Sequence, residues 1–373
     1  MRIAVVGGGP AGLYFAYLRK RRHPADAVAV FEQNPRDATF GFGVVFSDRA
    51  LDFLRADDPE TADLVAPRME TWSDIALVHH GERIAVDGVG FSAIGRLELL
   101  RLLQERAASV GVELRYGHAV RSVAELGDAD LVVGADGVNS LVRREHEAAF
   151  GTSVSHLSNK FAWFGTTKPF ETLTQTFVET PLGTFNAHHY RYQPAMSTFI
   201  VECDPATWTR AGFERLGEDE ARAVCEGVFA ETLDGHPLIS NRSVWRNFPW
   251  VSNARWSVGN RVLLGDALHT AHFSIGSGTR LALEDAIALV KALDEAGNVR
   301  AALAAYEAAR RPIVQKLVAA SRTSAAWYER FPEHMRLSPL DFAMSYITRS
   351  GRVDPERLRA MAPRFMARYE AER

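Results

Sequence analysis

A chain of 373 residues, 47% hydrophobic and 24% charged, has the composition of an ordinary globular protein with a sizeable core, and its length corresponds to about two domains. A formal net charge of −3 gives no support to nucleic-acid binding, and the two cysteines, Cys203 and Cys225, form neither a disulfide framework nor a metal-ligand spacing. No apolar run reaches the roughly 18–20 residues that span a bilayer, and the first glycine turn comes too early for a leader peptide, so the expectation is a cytoplasmic protein with no membrane partner.

The opening run Ile3-Ala-Val-Val-Gly-Gly-Gly-Pro-Ala-Gly-Leu reads as a buried strand, a glycine turn and a helix over Leu13–Arg22. Gly7, Gly9 and Gly12 have the G-x-G-x-x-G spacing that a tight turn, a close backbone approach to pyrophosphate and close helix–strand packing require. The helix N-terminus offers free N–H groups to phosphate. Ala27–Phe31 reads as the next strand, and Glu32 stands at its end, where an acidic side chain grips a ribose hydroxyl. This is a dinucleotide site.

A polar and aromatic insertion follows, where a simple NAD dehydrogenase would continue its strand and helix alternation. Asp130–Gly137 is then a second buried strand, ending in Ala135-Asp136-Gly137. Between positions 161 and 202 come β-branched and aromatic runs broken by Pro and Gly, the pattern of a sheet. Trp163, Phe164, Phe185, His188, His189, Tyr190 and Tyr192 fall on these runs, and strand alternation sets His188, Tyr190 and Tyr192 on the face opposite His189 and Arg191. A third strand and turn follow in Arg261-Val-Leu-Leu-Gly-Asp-Ala, and Gly276 and Gly278 precede a helix over Leu281–Leu293. His269 and His272 sit beside that loop and are expected at a pocket. No compact His and carboxylate constellation suggests a metal. From Arg310 to Arg373 there are twelve Arg and one Lys against seven acids, a local +6, which reads as a solvated helical face or as a handle for an anionic group.

Taken together, these three motifs resemble the flavin-dependent aromatic hydroxylases of the para-hydroxybenzoate hydroxylase type, over essentially the whole chain. The resemblance implies an α/β fold: a Rossmann-like FAD-binding domain, discontinuous in sequence, an antiparallel-sheet substrate domain and a C-terminal helical region. Residues 1–70, 92–155 and 255–310 would form the first, 71–91 and 156–254 the second, and 311–373 the third. It also implies cofactor contacts at Gly7, Gly9, Gly12 and Glu32 for the ADP part, and at Arg96, opening a helix, for the flavin side chain and phosphates. Asp136 and Gly137 would serve FAD and a transiently docking nicotinamide, Asp266 a ribityl hydroxyl, and Gly276 and Gly278 the isoalloxazine; Gly43 and Val44 complete the set. Phe273 stands where the family pattern has proline and Arg280 where it has asparagine, near the reacting edge of the ring.

Gly41-Phe-Gly-Val-Val-Phe-Ser-Asp, Asn159-Lys-Phe-Ala-Trp-Phe-Gly-Thr-Thr, Met196-Ser-Thr-Phe-Ile-Val-Glu-Cys and His272-Phe-Ser-Ile-Gly-Ser-Gly-Thr are similar to hydroxylases of aryl-CoA thioesters, of the salicylyl-CoA 5-hydroxylase and anthraniloyl-CoA monooxygenase kinds. They also resemble the tryptophan-derivative hydroxylase of violacein synthesis. Thr348-Arg-Ser-Gly-Arg-Val looks like the run that leads into a further domain in fused enzymes, so the chain reads as a free-standing member or as one part of a fusion. The implied chemistry is reduction of FAD by NADH or NADPH, addition of dioxygen at the flavin C4a, and transfer of the distal oxygen of the hydroperoxide to an electron-rich ring carbon. His188, His272 and Phe273 are the expected substrate-pocket residues, and the arginine-rich tail is available for CoA phosphates. Three readings stay open beside the aryl-CoA one. They are a tryptophan-derived or free aromatic substrate, a flavin reductase without oxygen insertion, and a flavin-binding module without turnover.

Overall fold

The computed structural model describes residues 1–47 and 51–372. Asp48, the last residue of the Gly41 motif, and Arg373, the last of the basic tail, lie outside the described residues.

All three glycine turns leave one six-stranded sheet. Its order is Ser257–Val258, Arg261–Leu263, Leu131–Gly134, Arg2–Val6, Ala27–Phe31, Glu113–Arg115. Every neighbouring pair is parallel except Ser257–Val258 with Arg261–Leu263. Parallel strands covered on both faces need continuous apolar runs, which is what Ile3–Val6 and Leu131–Val133 supply. From Arg2–Val6 the chain crosses to Ala27–Phe31 on one side and later returns as Leu131–Gly134 on the other. The C-terminal end of Arg2–Val6 is therefore a topological switch point, where such sheets take their ligands. Helices Pro10–Arg22, Arg96–Ser109 and Gly278–Glu295 pack around this sheet, with Leu13, Tyr14, Leu99, Leu281 and Leu289 in its core.

A second sheet of eight strands covers the region expected to hold substrate. Its order is Leu238–Ile239, Thr152–Thr166, Met196–Cys203, Gly183–Gln193, Leu173–Thr180, Ile75–His79, Glu82–Val86, and Arg246–Asn253 also pairs with Thr152–Thr166. The sequence leads one to expect an antiparallel sheet, but Leu173–Thr180 and Ile75–His79 run parallel. Antiparallel pairing is enforced by hairpins, and these two strands are joined only through the first sheet, so no turn dictates their direction. Register places Phe161, Glu202, Asn186 and Phe177 side by side in one row, and Trp163, Ile200, His188 and Gln175 in the next, on the same face. The opposite face carries Phe164, Phe185, Ala187, Phe199 and Val201, packed with Ala221 and Cys225 of helix Glu218–Val228. His189 lies on that opposite face, its Nε2 2.9 Å from Thr176 Oγ1 and its ring against Phe170, as the strand alternation requires.

A small sheet of Gly43–Ser47, Phe91–Gly95 and Glu70–Trp72 adjoins the second. The Tyr190 hydroxyl donates to Gly43 O at 2.9 Å, and Gly43 N donates to Thr198 Oγ1 at 2.8 Å. After the 30-residue helix Val299–Tyr328, the helices Pro339–Thr348, Pro355–Met361 and Pro363–Ala371 close over the edge strands, with Phe342, Leu358 and Phe365 packed on Ile75, Leu77 and Ile84. Among the described residues no helix is long and apolar enough to cross a membrane.

Candidate active site

The three glycine turns touch one another. Gly7 has φ +105°, its N–H donates to Phe31 O at 2.8 Å, and a Cβ there would collide with the Ala135 carbonyl of the second motif. A Cβ on Gly12 would collide with Gly7 O. Gly265, at φ +56°, leaves room for a Cβ only 3.2 Å from Ala282 and 3.3 Å from Ala11, so the third turn is pressed onto the helix of the first. Gly9 and Gly278 differ from these. Gly9 has an ordinary φ of −79°, and a Cβ on either residue would meet nothing within 4 Å. Internal packing therefore does not require glycine at these two positions, which suits a backbone that must be approached by another molecule.

Acidic and basic side chains surround this junction. Glu32 Oε2 accepts from Gly8 N at 2.8 Å and Oε1 from Asn34 N at 2.8 Å, which fixes the carboxylate beside the turn. Asp136 Oδ2 accepts from Leu141 N at 2.6 Å, capping the next helix, while its buried Oδ1 has no partner. Burial holds the Asp136 carboxyl above the usual range. Asp266 is open to solvent, yet protein surrounds it closely enough for burial to raise its pKa, against the pull of His269 and Arg96. It thus lies within a cleft and not on the outer surface. Arg96 begins its helix, donates from Nε to Thr39 Oγ1 at 3.1 Å, and is drawn below its usual value by burial while the Asp266 charge opposes that shift. A dinucleotide fits these residues: crossing points too tight for side chains, an unpartnered Asp136 oxygen, and a cleft carboxylate facing a cation.

Behind the third turn lies a buried charge network that the sequence did not disclose. Asp285, fully buried, accepts at Oδ2 from Gly265 N at 3.3 Å and lies 2.8 Å from His269 Nε2. Its Oδ1 accepts from Arg310 Nε at 3.0 Å, and Arg310 also reaches Glu284 at 3.0 Å. Arg280, one of the two departures from the family pattern, donates to Glu284 at 2.8 Å and so extends the same network. His269, expected at a pocket, is instead tied to Asp285.

An aromatic cluster adjoins the Gly276 loop. The His272 and Phe273 rings are tilted against each other with centroids 4.1 Å apart, Phe273 reaches Phe161 of the sheet at 5.1 Å, and Phe248 meets His272 at 4.8 Å. Burial, helped by Arg349, pushes both His188 and His272 down to about 3, so both imidazoles are neutral near pH 7. The expected residues His188, His272 and Phe273 are thus brought together. Gly43 is held against the Tyr192 ring and Val44 is buried beside it. Arg349, within the Thr348-Arg-Ser-Gly run, donates to Ser274 O at 2.7 Å and Ser324 Oγ at 3.0 Å, with its guanidinium 3.7 Å from the Tyr346 ring. It ties the C-terminal helices to the loop, a role the sequence left unseen.

Much of the basic tail is engaged within the chain. Arg310 holds Asp285, Arg364 holds Asp74 at 2.8 Å, Arg368 holds Glu82 at 2.6 Å and Arg359 holds Glu370 at 2.7 Å. Among the described residues, no carboxylate lies within ion-pair reach of Arg322, Arg330, Arg336 or Arg352. No group of three or more His, Cys, Asp or Glu is gathered as for a metal ion among the described residues.

Glu202, on the sheet face with Phe161, is a strongly perturbed acid. Burial pushes its carboxyl up to about 8, partly countered by the Asn159 hydrogen bond and reinforced by Glu329. Between its ordinary value of 4.5 and about 8 the folded chain keeps a proton that the unfolded chain has lost. Stability supplied by this group is thus complete at low pH and is lost as pH rises through about 8. Urea denaturation across that window should show stability falling with pH, and Glu202→Gln should flatten part of that slope; an unchanged slope would contradict the assignment.

The description "FAD binding domain" of one protein family matches residues 1–321. The chain is 45% identical over 361 residues to salicyloyl-CoA 5-hydroxylase of a Streptomyces species, covering 94% of this chain and 70% of that one. It is 41% identical over 333 residues to 3-hydroxy-4-methyl-anthranilyl-[aryl-carrier protein] 5-monooxygenase of Streptosporangium sibiricum, covering 89% and 90%. Among solved structures, PqsL of P. aeruginosa in complex with 2-aminobenzoylacetate superposes with a TM-score of 0.69 at 22% identity, over 88% of this chain and 97% of that one, which is a likeness of fold.

Proposed function

We propose, from the premise that this chain belongs to the FAD-binding-domain family of flavin-dependent aromatic monooxygenases, that it hydroxylates the ring of an aryl-CoA thioester at the carbon para to a hydroxyl or amino group. The enzyme uses FAD and takes NAD(P)H as co-substrate. The observation that carries the substrate reading is the aromatic cluster of Phe161, Phe248, His272 and Phe273 beside the Gly276 loop, taken with relatives whose names place an aromatic acyl group on CoA or on a carrier protein.

FAD, when bound, supplies reduction by NAD(P)H and activation of dioxygen; the chain supplies the rest. Gly7, Gly9 and Gly12 would admit the pyrophosphate to the N-terminus of helix Pro10–Arg22. Glu32 would accept from the adenosine ribose, Asp136-Gly137 would line the middle of the cofactor, and Asp266 would accept from a ribityl hydroxyl. Arg96 would offset the phosphate charge, and Gly43, Val44, Gly276 and Gly278 would flank the flavin ring. His188, His272 and Phe273 would bound the substrate ring. Neutral imidazoles at His188 and His272 can each donate one hydrogen bond and accept another without presenting a charge to the ring. The surrounding aromatic side chains keep water from the reacting carbon.

We assign 1–70, 92–155 and 255–310 to the cofactor domain, 71–91 and 156–254 to the substrate domain and 311–373 to a helical region. Two free, buried cysteines suit a cytoplasmic location. The CoA nucleotide would lie at the mouth of the substrate site, with phosphates near basic side chains. Binding energy from this remote part can be spent in orienting the ring, so the free acids should turn over far more slowly. Salicyloyl-CoA or anthraniloyl-CoA should stimulate NADH oxidation about tenfold or more over the free acids, with hydroxylated thioester as product and with affinity falling as salt screens the phosphates. Equal stimulation by the free acids would reject the CoA reading, and NADH oxidation without hydroxylated product for any of these compounds would favour a reductase.

A further inference from the structure

The sheet face toward the aromatic cluster carries an unusual set of buried polar atoms without partners. They are both amide atoms of Gln175, Asn186 Oδ1, both ring nitrogens of His188, Asn159 Oδ1 and Glu202 Oε2. Gln175, Asn186, His188 and Glu202 occupy two adjacent rows of one face by register, next to Phe161 and Trp163. Buried polar groups are nearly always satisfied, and a cluster that is not calls for a ligand able to satisfy it.

Glu202 stands apart within this set, because its carboxyl ionises as pH rises through about 8 and the carboxylate then only accepts hydrogen bonds. Its side chain is buried, with the residue 2% exposed. Oε1 accepts from Asn159 Nδ2 at 2.8 Å, and that same Nδ2 donates to Tyr328 O at 2.8 Å. With both amide protons committed, Asn159 can turn only its donor side toward Glu202, and this fixes which carboxylate oxygen is left over. Glu202 lies opposite Phe161, whose ring meets Phe273 of the Gly276 loop, so the leftover oxygen lies on the sheet face that meets that loop.

We propose that the ionised Glu202 carboxylate accepts, at Oε2, the hydrogen bond of the O–H or N–H substituent on the substrate ring, with Asn159 as the positioning residue that aims it. The proposal rests on the aromatic-hydroxylase reading and deepens it. A hydroxyl or amino group para to the attacked carbon donates electron density to that carbon, and an acceptor at its proton increases the donation. The group that activates the ring is thereby also the group by which the site selects its substrate. Sites built around a buried polar group reject an analogue that leaves this group unpaired. With a carboxyl that burial has brought to about 8, Glu202 can also exchange a proton near neutral pH, which suits a partner for a phenol.

Glu202→Gln tests this in the FAD-loaded enzyme at a pH above about 8, where the parent carboxyl is ionised. In that variant the amide oxygen must face Asn159 Nδ2, so its NH₂ faces the ring substituent and meets a donor with a donor. Dissociation constants for salicyloyl-CoA and for 2-methoxybenzoyl-CoA, which lacks the donor, would be read from the flavin absorbance change on titration. The parent enzyme should prefer salicyloyl-CoA, and Glu202→Gln should reduce that preference by about 10–100-fold, the worth of one charge-assisted hydrogen bond. Asn159→Ala, which leaves the carboxylate but releases its aim, should reduce it by a smaller factor and provides the reading if Glu202→Gln fails to fold. An unchanged preference in a variant that retains FAD overturns the proposal. The same ratio measured with salicylate and 2-methoxybenzoate separates the two readings: donor preference lost in both series supports the role of Glu202, even if only the free acids bind and the CoA reading fails.

Discussion

Replacing Asp285 by alanine should destabilise the protein by roughly 3–5 kcal/mol and loosen the Asp266 turn with it. The carboxylate is fully buried and serves three groups at once: Gly265 N, His269 Nε2 and the Arg310 guanidinium. Its removal leaves Arg310, 6% exposed, with Glu284 as its remaining carboxylate, and leaves a buried imidazole without its acceptor. Three buried donors lose one shared acceptor at once, each loss worth about 1–3 kcal/mol, which places this substitution among the more damaging available. The turn should suffer as well, since Gly265 loses the side chain that holds its N–H. Asp285→Asn keeps the shape and one acceptor, so it should fall between the parent and Asp285→Ala. Chemical denaturation of the FAD-free chain measures the stability loss, and FAD retained after gel filtration measures the turn. A loss below about 1 kcal/mol for Asp285→Ala would mean that Arg310 and His269 find water or other partners.

The contrast between that network and the glycine turns shows what a single sequence can disclose. The strand, turn and helix of Gly7–Gly12 are local, and their residue types are dictated by contacts a few positions away, so the motif is legible where it stands. The same holds for Gly265-Asp266 and for the strands between 161 and 202, whose ends follow Pro and Gly. The Asp285 network joins a helix, a turn and a second helix, and nothing in Leu-Glu-Asp marks the aspartate as buried. Glu202 was likewise hidden, because it joins that sheet face only through register with Phe161 and Asn186. Charge counting left the partners of the tail unseen for a related reason. Arg364 and Arg368 meet Asp74 and Glu82, acids nearly 300 positions away (290 and 286 residues), so a tail with a local surplus of arginine is in part an internal set of ion pairs.

Alanine at Gly9 and at Gly12 should separate cofactor binding from folding. A Cβ on Gly12 collides with the Gly7 carbonyl, and backbone cannot swing aside as a flexible side chain can. Gly12→Ala must push helix Pro10–Arg22 off its strand, in a region where Val5 and Ala135 already lie against the same glycine. Overpacking of this kind costs about 1–3 kcal/mol, and the FAD-free chain should show it. Gly9→Ala meets no protein atom within 4 Å and keeps an ordinary φ, so the FAD-free chain should be as stable as the parent or slightly more so. The methyl group would instead stand where the pyrophosphate must approach the backbone N–H groups. Loss of even about 2–3 kcal/mol there lowers FAD affinity by roughly 30–150-fold. Both proteins would then bind FAD poorly, but only Gly12→Ala would unfold earlier without it. Equal FAD affinity for Gly9→Ala and the parent would mean that no phosphate passes over Gly9, and the glycine turn would have to be reassigned to packing alone.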